Sequence, residues 1–165
     1  MERKQETQSL DYDDLRAYAA DYEKKYVHLR DIPLPRFTDV EVEVDMYPET
    51  WAFKARGTQL FENKLDEPIT SVPVGFGSLT TVDSLEIEGA TLVESDERFN
   101  VHQFEFDPPL QPGERRALTF EVSRTPVGWN HGNVIPSFLG EGAVLGNGTF
   151  LTSAAMTPFF GFNEN

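Results

Sequence analysis

Histidine is the residue type here best suited to metal binding or acid–base chemistry, and the sequence contains three. His28, His102 and His131 do not have the spacing of metal ligands, and no His-Glu-x-x-His, glycine-rich phosphate loop or Gly-x-Ser-x-Gly motif is present. The surrounding patterns predict a helix at His28, a strand at His102 and a Gly/Asn-rich loop at His131. We therefore expect a surface or structural role for each.

Acidic residues form two short clusters. The first, Asp11–Asp14, lacks the glycine and the length of a calcium-binding loop, so we interpret it as the solvated start of a helix. The second consists of Glu41, Glu43 and Asp45, which alternate with apolar residues and would line one face of a strand. Such a face could hold a cation, but a solvated sheet face accounts for these residues without one.

Asn147-Gly148-Thr149 matches the acceptor sequence for N-glycosylation. The motif is short, and a Gly-rich turn gives these residues a reason of their own, so chance is the leading explanation.

Nothing in the sequence assembles a nucleophile, a general base and an oxyanion donor. We therefore predict that this chain alone is not an enzyme, with no catalytic and no metal-binding residues.

Composition limits the partners. The formal net charge of −14 argues against nucleic acid and against an anionic membrane surface, because both require Lys and Arg. No apolar run approaches the roughly 20 residues of a spanning helix, so we predict no membrane insertion. The sequence has no cysteine, which excludes disulfides but does not fix the compartment. A cytosolic protein and a soluble domain of a larger exported or membrane-tethered chain both fit.

The elements that would position these residues begin with a helix near Tyr12–Leu29. Apolar and aromatic residues recur there at steps of three and four, and two prolines within Asp31–Pro35 end the pattern. We favour packing of this aromatic stripe on its own domain, or extension of an upstream linker. Binding of a partner is the alternative.

The segment Asp39–Pro68 predicts a long antiparallel hairpin. Its first strand alternates valines with the acids described above, and a turn follows at Tyr47–Thr50. In the second strand, alternation predicts one buried face and one solvated face. The buried face would hold Trp51, Phe53, Ala55, Gly57 and Phe61, and the solvated face would hold Lys54, Arg56, Thr58 and Glu62.

Further strands are predicted at intervals of about ten residues, separated by Gly/Pro turns. Pro73 demotes the third strand toward an edge or a break, and Pro112-Gly113 predicts a type II turn. The predicted fold class is all-β, an antiparallel sandwich or saddle of about seven or more strands with one N-terminal helix. We assign residues 1–35 to a polar N-terminus, helix and Pro-rich linker, and 36–165 to the β-sandwich domain.

The last part of the chain, Val127–Asn165, is Gly-rich but keeps six large aromatic residues. Disordered tails avoid aromatics, so we expect this segment to fold against something. Val144–Leu151 is predicted to contribute a strand. Phe159, Phe160 and Phe162 have few partners left in sequence to cover them, so we expect them to form an exposed surface that a following domain would bury.

A family resemblance is carried by three segments in order: FKARGTQLFENKLDEPITSVPV, SLEIEGATL and FEFDPPLQPGERRALTFEV. Together they resemble the N-terminal β-domain of aminopeptidase N-type (gluzincin) zinc metallopeptidases. The matching positions are Phe53, Gly57, Thr58, Pro68, Ile69, Leu110, Pro112, Gly113 and Glu114. The segments YEKKY, PRFTDV, NGTF and PFFGF are similar to a bacterial subgroup in which the peptidase-like region follows permease segments of ABC-transporter type.

The resemblance covers about Tyr22–Asn165 and implies a noncatalytic domain. In the family, zinc and the general base belong to the following domain, so no cofactor is expected in this chain. The family's N-terminal domain lends a Gln or Glu that grips the free amino group of the substrate, but neither stands at the expected place here. Asn147 and Thr149 are the nearest polar candidates for substrate binding.

The resemblance also implies the partners and the location. The partner would be a downstream catalytic domain of the parent chain, which this domain would help to shape into a substrate cleft, and peptide N-termini would be ligands. The location implied is extracytoplasmic, as part of a membrane-anchored parent, while a cytoplasmic one stays open. The alternative functions are a ligand- or protein-binding sandwich module that uses Trp51 or Trp129, and a structural spacer of a surface protein.

Overall fold

The computed structural model describes residues 12–50, 52–124, 142–145 and 148–162. An α-helix, α1 (Tyr12–Tyr26), continues as a 3₁₀ turn at Val27–Leu29, which confirms the predicted N-terminal helix. The strands are β1 (Arg36–Tyr47), β2 (Ala52–Glu62), β3 (Ile69–Gly75), β4 (Thr81–Ile87), β5 (Ala90–Asp96), β6 (Val101–Leu110), β7 (Arg115–Arg124), β8 (Gly142–Leu145), β9 (Gly148–Leu151) and β10 (Phe159–Phe160). A four-residue helix, α2 (Ser153–Met156), precedes the last strand.

The strands form two four-stranded antiparallel sheets and one hairpin. The first sheet has the order β1-β2-β7-β4, the second has the order β10-β3-β6-β5, and β8 pairs with β9. Side chains from the inner faces of both four-stranded sheets meet in one core. The largest fully buried members are Phe53, Phe61, Ile69, Leu110, Leu118, Val72, Val74 and Val122. This arrangement confirms the predicted all-β class.

The β1–β2 hairpin has the predicted pairing, with the turn closed by a hydrogen bond from the Thr50 N–H to the Tyr47 carbonyl at 3.1 Å. The burial of its first strand is lower than the alternation suggested. Val40 and Met46 are each 50% exposed, because β1 is the edge strand of its sheet and has no strand on its outer side. On β2, Phe53 is buried and Lys54 is exposed, as predicted.

The prediction for Glu62 is wrong. Alternation places this residue on the solvated face of β2, whereas it is only 8% exposed. It lies at the end of β2, where two cations cover its carboxylate. Lys64 Nζ lies 2.6 Å from Oε1, and Arg115 Nε lies 2.7 Å from Oε2. The hydrogen bond from Lys64, followed by that from Arg115, lowers the pKa of Glu62. Strand alternation did not reveal this because the partners come from outside β2.

A buried asparagine joins two turns of the sandwich. Asn63 donates its amide hydrogens to the carbonyls of Glu67 (2.8 Å) and Leu110 (3.0 Å), and its side-chain oxygen accepts the Leu65 N–H (2.9 Å). The backbone N–H of Asn63 donates to the Glu114 carbonyl, and the backbone carbonyl of Asn63 accepts the Gly113 N–H. Gly113 has φ +74°, the left-handed conformation that the predicted type II turn requires. We call this set of contacts the Asn63 joint.

The backbone carbonyl and nitrogen of Pro73 are directed toward β10. Its carbonyl accepts the Gly161 N–H at 3.0 Å, while β10 pairs with β3 only through Phe159 and Phe160. The donor that proline lacks is therefore on the side where pairing is shortest. The prediction of an edge or a break at this strand is wrong, because β3 is continuous and lies inside its sheet, between β10 and β6.

Helix α1 packs on its own domain, as favoured from the sequence. Tyr26 and Leu29 are buried with Phe99 and Val101, and further aromatic and aliphatic side chains pack around them. The Tyr18 hydroxyl donates to the Arg98 carbonyl at 3.0 Å. The aromatic stripe is thus used within the chain, on the β5–β6 turn.

The expectation that Phe159, Phe160 and Phe162 are exposed is wrong. Phe160 stacks on Phe37 with ring centroids 4.2 Å apart, and Phe162 stacks on a tyrosine of α1 at 5.4 Å. All three phenylalanines are half-buried. Their partners are N-terminal in sequence, at Tyr22 and Phe37, and this explains why inspection of the neighbouring sequence found none.

Candidate functional site

The predicted substrate-binding pair is only partly described. Thr149 lies in β9 and pairs with Val144 of β8, while Asn147, which also begins the glycosylation sequence, lies outside the described residues. The sequence prediction of a strand in this region is met by the β8–β9 hairpin. Trp51 and Trp129, proposed for a binding module, and His131 also lie outside the described residues.

The acidic face of β1 borders an open trough on the outer surface of the first sheet. The trough has a volume of about 390 Å³, and its lining includes Glu41, Glu43, Arg56, Thr58 and Glu121. Arg56 Nη2 lies 2.7 Å from Glu43 Oε2, and Arg56 Nη1 lies 3.6 Å from Asp45 Oδ2. The hydrogen bond to Glu43 raises the pKa of Arg56. Arg56 therefore supplies the positive charge that balances this acidic face.

Metal-ligand candidates are dispersed. Across the described ranges, no group of three or more His, Asp or Glu side chains is placed to hold a metal ion. His28 is exposed in the 3₁₀ turn that follows α1. His102, by contrast, is buried at 8% exposure and has two polar partners.

His102 and Ser95 form a hydroxyl–imidazole pair across strands β5 and β6. Their backbones are register partners, and Ser95 Oγ lies 2.9 Å from His102 Nδ1. On the other side of the ring, His102 Nε2 lies 3.2 Å from Asn100 Oδ1. Burial lowers the pKa of His102, against the opposing charges of Asp96 and Glu97. Burial therefore favours the neutral imidazole over the charged one.

The hydrogen-bond network fixes which imidazole nitrogen carries the proton. Asn100 donates its amide hydrogens to the carbonyls of Gly77 (2.9 Å) and Thr80 (2.8 Å), so its Oδ1 faces the ring as an acceptor. Nε2 of His102 must then donate, which leaves the lone pair of Nδ1 to accept the Ser95 hydroxyl proton. We call Ser95, Asn100 and His102 the imidazole relay.

Two irregular backbone features build the relay. The register of β5 shifts between Leu92 and Glu94, so one extra residue brings Ser95, instead of Glu94, opposite His102. Asn100 has φ +56°, a left-handed conformation that costs energy for a residue with a side chain. Sequence inspection treated His102 alone and missed this relay. The available signal was a serine and a histidine flanking the turn at 96–100.

The same turn anchors α1 through Asp96. One oxygen of its carboxylate accepts from Lys25 Nζ and the Tyr26 hydroxyl, each at 2.6 Å, while the other accepts the backbone N–H groups of Arg98 and Phe99. Burial disfavours the charged form, but these hydrogen bonds outweigh it and lower the pKa of Asp96 to about 2. Burial and the bond to Asp96 raise the pKa of Tyr26 to about 12.

The described fold is that of a two-sheet antiparallel β-sandwich with a docked helix. No helix in its described part has the length and apolar character needed to cross a membrane. No protein-family profile and no curated protein match the sequence. Solved structures of bacterial zinc metallopeptidases do match part of it.

An M1 zinc metallopeptidase from Deinococcus radiodurans has 17% sequence identity and a TM-score of 0.43 over 61% of this chain. A point mutant of an M1 zinc metallopeptidase from Deinococcus radiodurans, bound to a Tyr-Ser-Ala substrate, has 16% identity and a TM-score of 0.44 over the same share. The chain covers 22% and 23% of the lengths of those proteins.

Proposed function

We propose that this chain is a noncatalytic N-terminal β-domain of a larger zinc aminopeptidase-like protein. In this proposal it packs on a downstream catalytic domain and helps to shape the substrate cleft. Zinc and the general base belong to that downstream domain. Asn147 and Thr149 are the polar candidates for contact with a peptide N-terminus.

The observation that carries the proposal is the Asn63 joint. Its contacts connect the turn between β2 and β3 with the turn between β6 and β7. Five of the residues behind the family resemblance lie in or beside these turns: Ile69, Leu110, Pro112, Gly113 and Glu114. Ile69 and Leu110 are register partners and both are buried. Residues far apart in the sequence pattern thus meet in one structural unit, as expected if the order of motifs reflects a shared architecture.

A second part of the resemblance, Gly57, also has a structural reason. A Cβ atom at this position would lie 2.3 Å from the Glu41 carbonyl oxygen and 3.1 Å from the Phe120 ring. Real Cβ atoms do not approach backbone oxygens so closely, so glycine is required where β1 and β2 come together. Thr58, the next position of the resemblance, lines the trough on the opposite face.

The bacterial subgroup fused to permease segments, and with it an extracytoplasmic location in a membrane-anchored parent, extends this proposal. Its support is sequence similarity in YEKKY, PRFTDV, NGTF and PFFGF. The fusion predicts that the parent gene encodes membrane-spanning segments upstream of this domain and a His-Glu-x-x-His helix downstream.

The test is to express this chain and a longer chain that includes the residues encoded after Asn165. We expect stoichiometric zinc after dialysis, and chelator-sensitive hydrolysis of an aminoacyl reporter, only in the longer chain. A variant of the longer chain with its zinc-binding histidines replaced is the matched control. A continuation without a zinc motif, or chelator-sensitive turnover by the short chain, would contradict the proposal.

A further inference from the structure

The imidazole relay contains the elements of an activated nucleophile. Ser95 is exposed, whereas the imidazole that accepts its proton is buried. A serine hydroxyl is a weak nucleophile unless a neutral base is held within hydrogen-bond distance, and the 2.9 Å contact with Nδ1 meets that condition. Asn100 holds the ring in the required tautomer, the role that an orienting third group performs in serine nucleophile systems.

The backbone irregularities converge on this pair. The extra residue in β5 determines that serine, and not glutamate, faces His102, and the left-handed Asn100 delivers its amide oxygen to the far side of the ring. Strained or irregular backbone of this kind clusters at functional sites. The relay depends on both features, and Asn100 also holds its turn through Gly77 and Thr80.

The surroundings indicate the class of molecule that could react. Leu92 opposes Phe104 on the same face of β5 and β6 as the relay, and its side chain is 48% exposed. It offers an apolar contact beside the hydroxyl. The charges of Asp96 and Glu97, which act on His102, disfavour anionic molecules. A small, uncharged molecule with an apolar group therefore fits best.

We propose that Ser95 is a nucleophilic modification site that takes acyl or phosphonyl groups from small, uncharged activated esters, with His102 as its general base. The site is independent of the proposed aminopeptidase-like function. With p-nitrophenyl acetate, Ser95 Oγ forms a bond to the carbonyl carbon and its proton moves to His102 Nδ1. The bond from that carbon to p-nitrophenolate breaks, and water then takes the proton from Nδ1. The products are O-acetyl-Ser95, neutral His102, p-nitrophenolate and a hydronium ion.

The experiment uses the full chain and an uncharged alkyl fluorophosphonate probe, whose fluoride leaves as the Ser95 oxygen bonds to phosphorus. Intact mass followed by peptide mapping should show one major adduct, at Ser95. Because a positioned general base contributes typically 10²–10⁴-fold, we expect Ser95 to react about 100 times faster than Ser84. Ser84 is a matched comparison, since it is also an exposed serine on an edge strand.

Three variants distinguish the role of Ser95 as the nucleophile from the role of His102 as the base. Ser95→Ala should abolish the adduct, Ser84→Ala should leave it unchanged, and His102→Gln should slow it about 100-fold. The comparison of Ser95 with Ser84 within the unmodified chain does not depend on whether the His102 variant folds. No adduct at Ser95, or equal rates at the two serines, would overturn the proposal.

Discussion

Asn63 and Asn100 are two buried asparagines that solve a similar problem in different ways. Each donates both amide hydrogens to backbone carbonyls and so holds a turn. The oxygen of Asn63 accepts a backbone N–H, and its network ends there. The oxygen of Asn100 faces an imidazole, and that network continues to an exposed hydroxyl. The network of Asn63 can only stabilise the fold, whereas the network of Asn100 links a buried turn to the His102 imidazole, which can change protonation, and to the Ser95 hydroxyl, which can react.

The largest effect is expected from Asn63→Ala. The substitution removes three side-chain hydrogen bonds at a fully buried position and leaves the Leu110 carbonyl without that partner, so we expect a loss of about 3–5 kcal/mol in the free energy of unfolding. Urea denaturation would measure it. Gln111→Ala is the control, because this exposed amide bonds only a nearby carbonyl, and a loss of under about 0.5 kcal/mol is expected. Equal losses for the two variants would contradict a special role for the Asn63 joint.

A smaller loss of stability is expected from Asn100→Gly, about 2 kcal/mol. The variant loses the bonds to Gly77, Thr80 and His102, but glycine adopts the positive φ without strain and so recovers part of the cost. Urea denaturation would again measure the change. A loss as large as that of Asn63→Ala would show that the left-handed backbone carries little strain.

The pH dependence of stability should distinguish the two networks further. Burial lowers the pKa of His102 in the folded state below its ordinary value of 6.5, so the unfolded state takes up a proton first as the pH falls. Stability should therefore decrease as the pH falls below about 6.5 toward the lower folded-state pKa. The Asp96 and Glu97 charges near the ring oppose this shift but do not reverse it.

Thermal unfolding between pH 7 and 5 would measure this slope, and His102→Gln should remove it. The Asp96 carboxylate acts in a separate, more acidic range. Its folded-state pKa of about 2 lies below its ordinary value of 3.8, so its contribution is lost as the pH falls through that interval. Stability that stays level from pH 7 to 5 would contradict the protonation state assigned to His102.

The smallest stability effect is expected from Ser95→Ala. The serine is exposed, and water can take its place at Nδ1 of His102, so we expect a change of under about 0.5 kcal/mol. Reactivity with the fluorophosphonate, by contrast, should be lost. Measured side by side, the two results would separate a reactive position from a stabilising one. A large loss of stability would mean that the hydroxyl is mainly structural.

Regular strands were predictable from the sequence because alternation reports on faces. Leu118, Phe120 and Val122 of β7 alternate with polar residues and are buried as predicted, since β7 has a strand on each side. The valines of β1 have the same pattern, yet Val40 is half exposed because β1 is an edge strand. Alternation gives the direction of a side chain, whereas the order of strands decides how well it is covered.

The imidazole relay was not predictable in the same way. A single extra residue in β5 reverses the face on which Ser95 lies, and nothing in the local sequence marks that shift. The covered phenylalanines at the end of the chain were missed for a related reason. Their partners, Phe37 and Tyr22, are distant in sequence, and local patterns contain no information about such contacts.

The contact between Phe162 and Tyr22 has a consequence for the order of events during synthesis. A ribosome delivers the aromatic residues of α1 before the strands of the sandwich, and it delivers Phe162 only after them. Phe99, which packs against the tyrosines of α1, and Phe162 therefore reach the helix only after several strands have been made, so these tyrosines lack their partners until then. Docking of α1 is thus a late step that depends on nearly the whole segment having emerged.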